Sequence, residues 1–233
     1  QFAALTTAQV AGLTTAQVAA LETADLAALD SAQVRAITTA AIVAMDTTDL
    51  GAISGKWGSL TTAQIKALET GDLSALGTAF VDALDSTQLK ALSVGQLSAM
   101  TTAQLGALDS ADIQALTTAQ LAGLATDKLN ALTSEQFAAL STAQVAGLTT
   151  LQVSSMETAD LAALDSAQVR AITTASIVAM DTADLVAISG DWGSLTTAQI
   201  KALETGDLSA LGTAFVDALD STQLKALSVG QLS

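Results

Sequence analysis

The chain of 233 residues contains no cysteine, histidine, tyrosine or proline, and each absence closes off a class of chemistry or architecture. Without cysteine there are no disulfides, no thiolate nucleophile and no sulfur-ligated metal site, and the redox compartment is left open. Without histidine the usual triad cannot be assembled, so the many Ser and Thr residues have no positioned base. The usual haem ligands are missing too: His, Cys and Tyr are absent, and Met45, Met100, Met156 and Met180 all stand at a core position of the pattern described below. No Pro-rich or Ser/Gly-rich linker divides the chain. Bases number 8 against 23 acids, and a net charge of −15 repels nucleic-acid phosphates and anionic head groups, which argues against nucleic acid as a partner. No stretch approaches the roughly 18 consecutive apolar residues of a membrane span, because Thr, Asp, Glu or Gln recurs every few positions. Aromatics make up only 3%, yet half the residues are hydrophobic, mostly Ala, Leu and Val, which is too many for charge-driven disorder.

What fills the chain is an eight-residue repeat, Leu-(Thr/Asp/Glu)-Thr-Ala-(Gln/Asp)-(Leu/Val/Ile)-x-Ala. Counting from Leu5, the first position is Leu, Ile or Met at every step to Ile53, resumes at Leu60 and holds through Leu227. Two repeats are one residue short, at 53–59 and 188–194, and they hold Trp57 and Trp192. A longer period of 136 − 1 = 135 residues lies above the short one, since 1–98 returns almost throughout as 136–233. The chain therefore reads as one continuous array over 1–233, and as an excerpt of a longer repetitive polypeptide.

An uninterrupted α-helix advances 100° per residue, so eight residues overshoot two turns by roughly 80° and the apolar stripe would wander around it. The helix must break once per repeat. Position 2 supplies an N-cap type (Thr, Ser or Asp) and position 5, three residues on, supplies Gln or Asp, as in Thr14–Gln17 and Asp30–Gln33. That spacing is a capping box, and Leu13 with Val18 or Leu29 with Val34 would form the hydrophobic staple around it. Acids gather at the start of each predicted helix, while Arg35, Lys66, Lys90, Arg170, Lys201 and Lys225 stand at position 7, near its end, in the sense the helix dipole favours. Helices of about six or seven residues fall far below the roughly 12 needed for marginal stability alone, so neighbours must cover one another. The predicted fold is all-α, a solenoid or superhelix of short helices, one per repeat. Leu, Val and Ile would line its core, Ala at positions 4 and 8 would let helices approach, and Thr, Gln, Asp and Glu would stand in rows outside. Gly55, Gly58, Gly190 and Gly193 would lend backbone freedom to the short repeats.

Candidate chemistry is sparse. The acid pairs Asp46/Asp49, Asp109/Asp112, Glu22/Asp25 and Glu157/Asp160 have the cap spacing already described, with calcium or magnesium ligation as the alternative. Lys56 lies beside Ser54 and Ser59, but its counterpart 135 residues on is Asp191, which speaks against a Ser–Lys nucleophile. The candidate interaction residues are Trp57, Trp192, Phe80 and Phe215. The tryptophans either project as binding anchors or plug a phase defect in the core, and the two phenylalanines, at the usually polar position 5, either fill a gap or offer a sticky point outside. The paired threonines admit a minor ice-binding reading.

The strings Leu13–Ala20, Leu60–Ala67 and Leu116–Gly123 resemble the LTTAQVAAL tracts of very large bacterial surface proteins, a family labelled as exoproteins of haem utilisation or adhesion. The resemblance implies a secreted or cell-surface setting in a Gram-negative bacterium, and the tract carries no haem-ligand motif to transfer. The expectation is a non-enzymatic extracellular stalk, filament or lattice element that needs no cofactor and associates with copies of itself or with other surface components. The rival expectation is a scaffold for glycan, peptide or calcium.

Overall fold

The structure, a computed structural model, describes residues 2–232, so that Gln1 and Ser233, the two ends of the array, lie outside the described residues. Most repeats begin with two extended residues and then turn into a helix. In the repeat that starts at Leu60, Thr61 is extended (φ −72°, ψ 157°) and the helix Thr62–Ala67 follows. The Thr61 hydroxyl accepts from the Gln64 amide at 3.2 Å, and Gln64 Oε1 accepts from the Thr61 N–H at 2.7 Å, so the capping box is complete. The helix stops at Leu68 (φ −60°, ψ 135°), whose N–H closes a final short turn on the Ile65 carbonyl at 3.3 Å. The same arrangement recurs at Asp30, Asp85, Ser93, Thr101 and Thr117. Glu22, Glu69, Glu157 and Glu204 stand at the cap position without making a side-chain cap, so the paired-acid spacing at Glu22/Asp25 and Glu157/Asp160 is not a capping box. With two residues of each eight extended, the helices are mostly four to six residues long, slightly shorter than expected. The segment Thr205–Ala218 is two such helices joined across a kink at Gly212.

The chain divides into two compact units, Gln1–Leu116 and Thr117–Ser233. In the first, each helix packs on the one three places along: Thr7–Ala11 on Ser31–Ala36, Thr15–Val18 on Thr39–Ala44, Thr23–Ala27 on Thr47–Ala52. In the second the rule is the same, with Thr142–Gly147 on Ser166–Ala171 and Thr158–Ala162 on Thr182–Ala187. Each unit is an all-α solenoid whose coil has three sides, one helix to a side, and three repeats of eight make a turn of 24 residues. No strand occurs among the described residues. Inside each coil lie position 1 (Leu68, Leu92, Leu164), position 6 (Ile65, Leu97, Val169) and, against expectation, position 5. Gln64, Gln88, Gln96 and Gln104 are buried rather than displayed, whereas Ala63 at position 4 faces solvent and only Ala67 at position 8 is half-buried. The outer rows are therefore Thr and Ala with the position 7 side chains, and glutamine belongs to the interior.

The two short repeats form 3₁₀-helices, Ser54–Ser59 and Ser189–Ser194. They skip the extended pair, since Ile53 (φ −95°, ψ 16°) leads straight from the preceding helix. A 3₁₀-helix rises about 2.0 Å per residue against about 1.5 Å for an α-helix, so six such residues span a side of the coil with one residue fewer. Their glycines supply space and not unusual backbone: among the described residues positive φ is confined to Gly77 (74°) and Gly212 (67°), three repeats later. A Cβ on Gly58 would lie 2.8 Å from the Ala83 carbonyl oxygen, and one on Gly193 would lie 3.0 Å from that of Ala218, while Gly55 faces open space. Gly58→Ala is expected to destabilise by about 1–3 kcal/mol through this overlap, and Gly55→Ala to be neutral or stabilising by up to about 1 kcal/mol. Urea unfolding followed by circular dichroism separates the two, and equal effects would contradict the assignment.

Candidate functional site

The recurrent polar device of the coil is the position 5 glutamine, used from both ends of its amide. Oε1 accepts from the cap of its own helix, as described. Nε2 reaches back one turn: from Gln64 it donates to the carbonyls of Val34 and Ile37, each at 2.8 Å. Gln88 donates to Leu60 at 2.7 Å and Gln96 to Ile65 and Leu68 at 2.8 Å. In the second unit Gln152 holds Leu121 and Leu124, and Gln168 holds Phe137 and Leu140. These acceptors lie at the C-terminal end of a short helix: the position 6 carbonyls, such as Ile65 and Val34, also take the N–H that closes the last turn, and the position 1 carbonyls, such as Ile37 and Leu68, lie just past it. One residue thus starts its own helix and finishes another. The sequence carried a signal for this: Gln fills position 5 in 15 of the 29 repeats from Leu5 onward and Glu in none. A capping box accepts Glu and Gln alike, so only a need for an N–H donor separates them.

The candidate interaction residues face inward. Trp57 and Trp192 are 5% and 6% exposed, and Phe80 and Phe215 are 0% and 1% exposed. Each tryptophan meets the phenylalanine three repeats later edge to face, Trp57 with Phe80 at 5.4 Å between ring centroids and Trp192 with Phe215 at 5.2 Å. The indole N–H donates to the carbonyl of Leu50 at 2.9 Å, and in the second unit to that of Leu185 at 2.8 Å. Those are the carbonyls a glutamine at 80 or 215 would have served. The ring pair therefore fills the space and the indole supplies the missing donor. None of the four rings projects to solvent as an anchor.

At Asp72, Asp160 and Asp207, also in position 5, the link between turns runs the other way, with the acid accepting from a hydroxyl below: Thr47 to Asp72 at 2.7 Å, Ser134 to Asp160 at 2.8 Å, Thr182 to Asp207 at 2.8 Å. Asp46/Asp49 and Asp109/Asp112 are Asp-to-Asp capping boxes, as is Asp181/Asp184. Among the described residues no three acids stand close enough together to hold a metal ion. The Lys56 ammonium donates to the Ala27 carbonyl at 2.6 Å and the Ser59 hydroxyl to the Lys56 carbonyl at 2.6 Å, so the amine is not directed at either serine; Asp191, its counterpart, accepts from the Ser166 hydroxyl.

Burial is the first cause that pushes the carboxyls of Asp49, Asp112, Asp160 and Asp184 above the ordinary 3.8, and the neighbouring cap acids Asp46, Asp109, Glu157 and Asp181 push the same way. Hydrogen bonds to these carboxylates, from the cap amides or from Ser134, oppose the shift without cancelling it. A raised acid binds its proton more tightly folded than unfolded. Its contribution is fully present below 3.8 and is lost as pH rises through the raised value. The melting temperature is accordingly expected to rise as buffer is taken from neutrality toward pH 3.8, a direction reinforced by relief of the −15 net charge. A melting temperature that falls steadily over that range would refute the sign.

On the outer face of the second unit, Thr158, Ala159, Thr182, Ala183, Val186 and Ala187 line a shallow groove between two stacked helices. The ALTTAQ repeat pattern matches the chain over ten segments between residues 1 and 233, among them 18–55, 65–102, 105–142, 153–190 and 200–233. The chain belongs to the ALTTAQ repeat family. The matches leave out 56–64 and 191–199, the stretches with Trp57 and Trp192, whereas Phe80 and Phe215 lie inside matched segments. A search of the curated proteins found no match. No helix among the described residues is long and apolar enough to cross a membrane.

Proposed function

We propose that this ALTTAQ array is a non-enzymatic structural element of a bacterial cell surface, serving as stalk, filament or lattice component. The observation that carries the reading is the glutamine clip, which repeats in both units and is devoted wholly to joining one turn to the next. A fold that spends its recurrent buried polar groups on its own backbone supplies length and regular spacing. Outside, Thr and Ala recur at one level per turn, so that two copies can meet in register along their rows, the self-association this reading includes. The surface location rests on the resemblance to large bacterial exoproteins. Negative-stain electron microscopy of the purified chain is expected to give filaments or ordered sheets, and brief protease treatment of intact producing cells is expected to remove the array. Monodisperse particles at every concentration would overturn self-association, and complete protection from protease would overturn the surface location.

A further inference from the structure

The glutamine clips are unevenly spaced, and the gap falls at the same place in each 135-residue period. In the first unit, the turn 84–107 is clipped to the turn 60–83 on all three sides, by Gln88, Gln96 and Gln104. The turn 37–59 has Ala41, Asp49 and Trp57 at the three clip positions, so none of its sides can send an amide N–H back to the turn 13–36. The second unit repeats this, with Ser176, Asp184 and Trp192 in the turn 172–194 over the turn 148–171. The substitutes turn back on their own turn. Asp49 and Asp184 accept from the cap amides of Asp46 and Asp181 at 3.3 and 3.1 Å, Ser176 meets the Thr173 hydroxyl at 2.9 Å, and each indole bonds a carbonyl seven residues earlier. From within the unclipped turn itself a single polar side-chain link crosses each seam among those described, Lys56 to the Ala27 carbonyl in one and the Ser166 hydroxyl to Asp191 in the other; where each seam ends, the next glutamine along the coil resumes the clip, Gln64 reaching Val34 at 2.8 Å and Gln199 reaching Val169 at 3.0 Å.

We propose that these two seams are built-in yield points, one per 135-residue period, at which the coil opens locally while neighbouring turns stay closed. Apolar packing continues across the seam, so it is closed at rest. Local opening follows the weakest set of bonds, and under tension the array would lengthen by parting at these seams first. The inference rests on the fold and stands whether or not the surface role does.

Hydrogen exchange of the full chain read by mass spectrometry tests it. Amides of Thr174–Ala179 and Thr182–Ala187 are expected to exchange about tenfold faster than those of Val94–Ala99, which lie in a clipped turn. Asp184→Gln retains a cap of the kind seen at Asp165–Gln168 and adds a donor aimed at the Val153 and Met156 carbonyls, so exchange in Thr182–Ala187 is expected to slow about tenfold while Val94–Ala99 is unchanged. Asp184→Asn removes the charge without the reach. Equal or slower exchange of the seam in the unaltered chain overturns the proposal, whatever becomes of the variants. So does slowing by Asp184→Asn as great as that by Asp184→Gln, which would assign the effect to charge.

Discussion

Gln64→Glu is expected to lower stability by about 3–5 kcal/mol at neutral pH although it changes one atom of the side chain. The cap survives, because Glu can still accept from the Thr61 N–H now held at 2.7 Å. What disappears is the donor. The Ile37 carbonyl, 2.8 Å from Nε2, loses its donor, the Val34 carbonyl keeps only the Ile37 N–H at 3.2 Å, and both instead face a carboxylate oxygen. The stranded buried carbonyl costs about 1–3 kcal/mol, and the unpaired buried charge adds the rest. Burial raises the new carboxyl's pKa, so the defect should shrink as pH falls through that value, when one O–H donor returns. Gln17→Glu provides the control, since Gln17 makes the same cap to Thr14 at 2.8 Å but is exposed in the first turn; its cost should stay within about 0.5 kcal/mol. Urea titration by circular dichroism reads both, and equal costs would show that the clip contributes nothing.

The cap half of the glutamine was legible in the sequence and the clip half was not, for a physical reason. Capping is local: Thr61 and Gln64 are three residues apart, and the spacing alone carries the geometry. The clip spans 27 and 30 residues from Gln64, and those separations acquire meaning only once three helices are known to make a turn. Nothing within one repeat fixes that number. It follows from how two extended residues and a helix of four to six residues redirect the chain, which is tertiary geometry. The same ignorance placed glutamine on the outside, because a polar side chain with no visible partner is assigned to solvent. The helical class, the break at every repeat and the apolar core at positions 1 and 6 were all legible, since each rests on periodicity or on a cap. Gly77 and Gly212 were passed over because positive φ cannot be read from a glycine that replaces a capping Thr or Asp.

Trp192→Ala is expected to cost about 3–5 kcal/mol, comparable to the largest single losses from a core. The indole is 6% exposed, meets Phe215 at 5.2 Å and holds the Leu185 carbonyl at 2.8 Å, so truncation opens a cavity, removes a ring contact and strands an acceptor together. Trp192→Phe isolates the last of these, keeping a ring while deleting the N–H, and should cost about 1–3 kcal/mol. If the indole replaces a glutamine clip, the clip can be restored from the other side. Phe215 occupies the position from which Gln223, Gln199 and Gln168 reach such carbonyls in neighbouring repeats. Phe215→Gln alone should destabilise through lost ring packing. Combined with Trp192→Phe it should cost less than the sum of the two, because the new amide can donate to the Leu185 carbonyl that the first change left bare. A double-mutant cycle by urea unfolding measures that coupling; strict additivity would mean that the indole N–H and the glutamine amide are not interchangeable solutions to the same unpaired carbonyl.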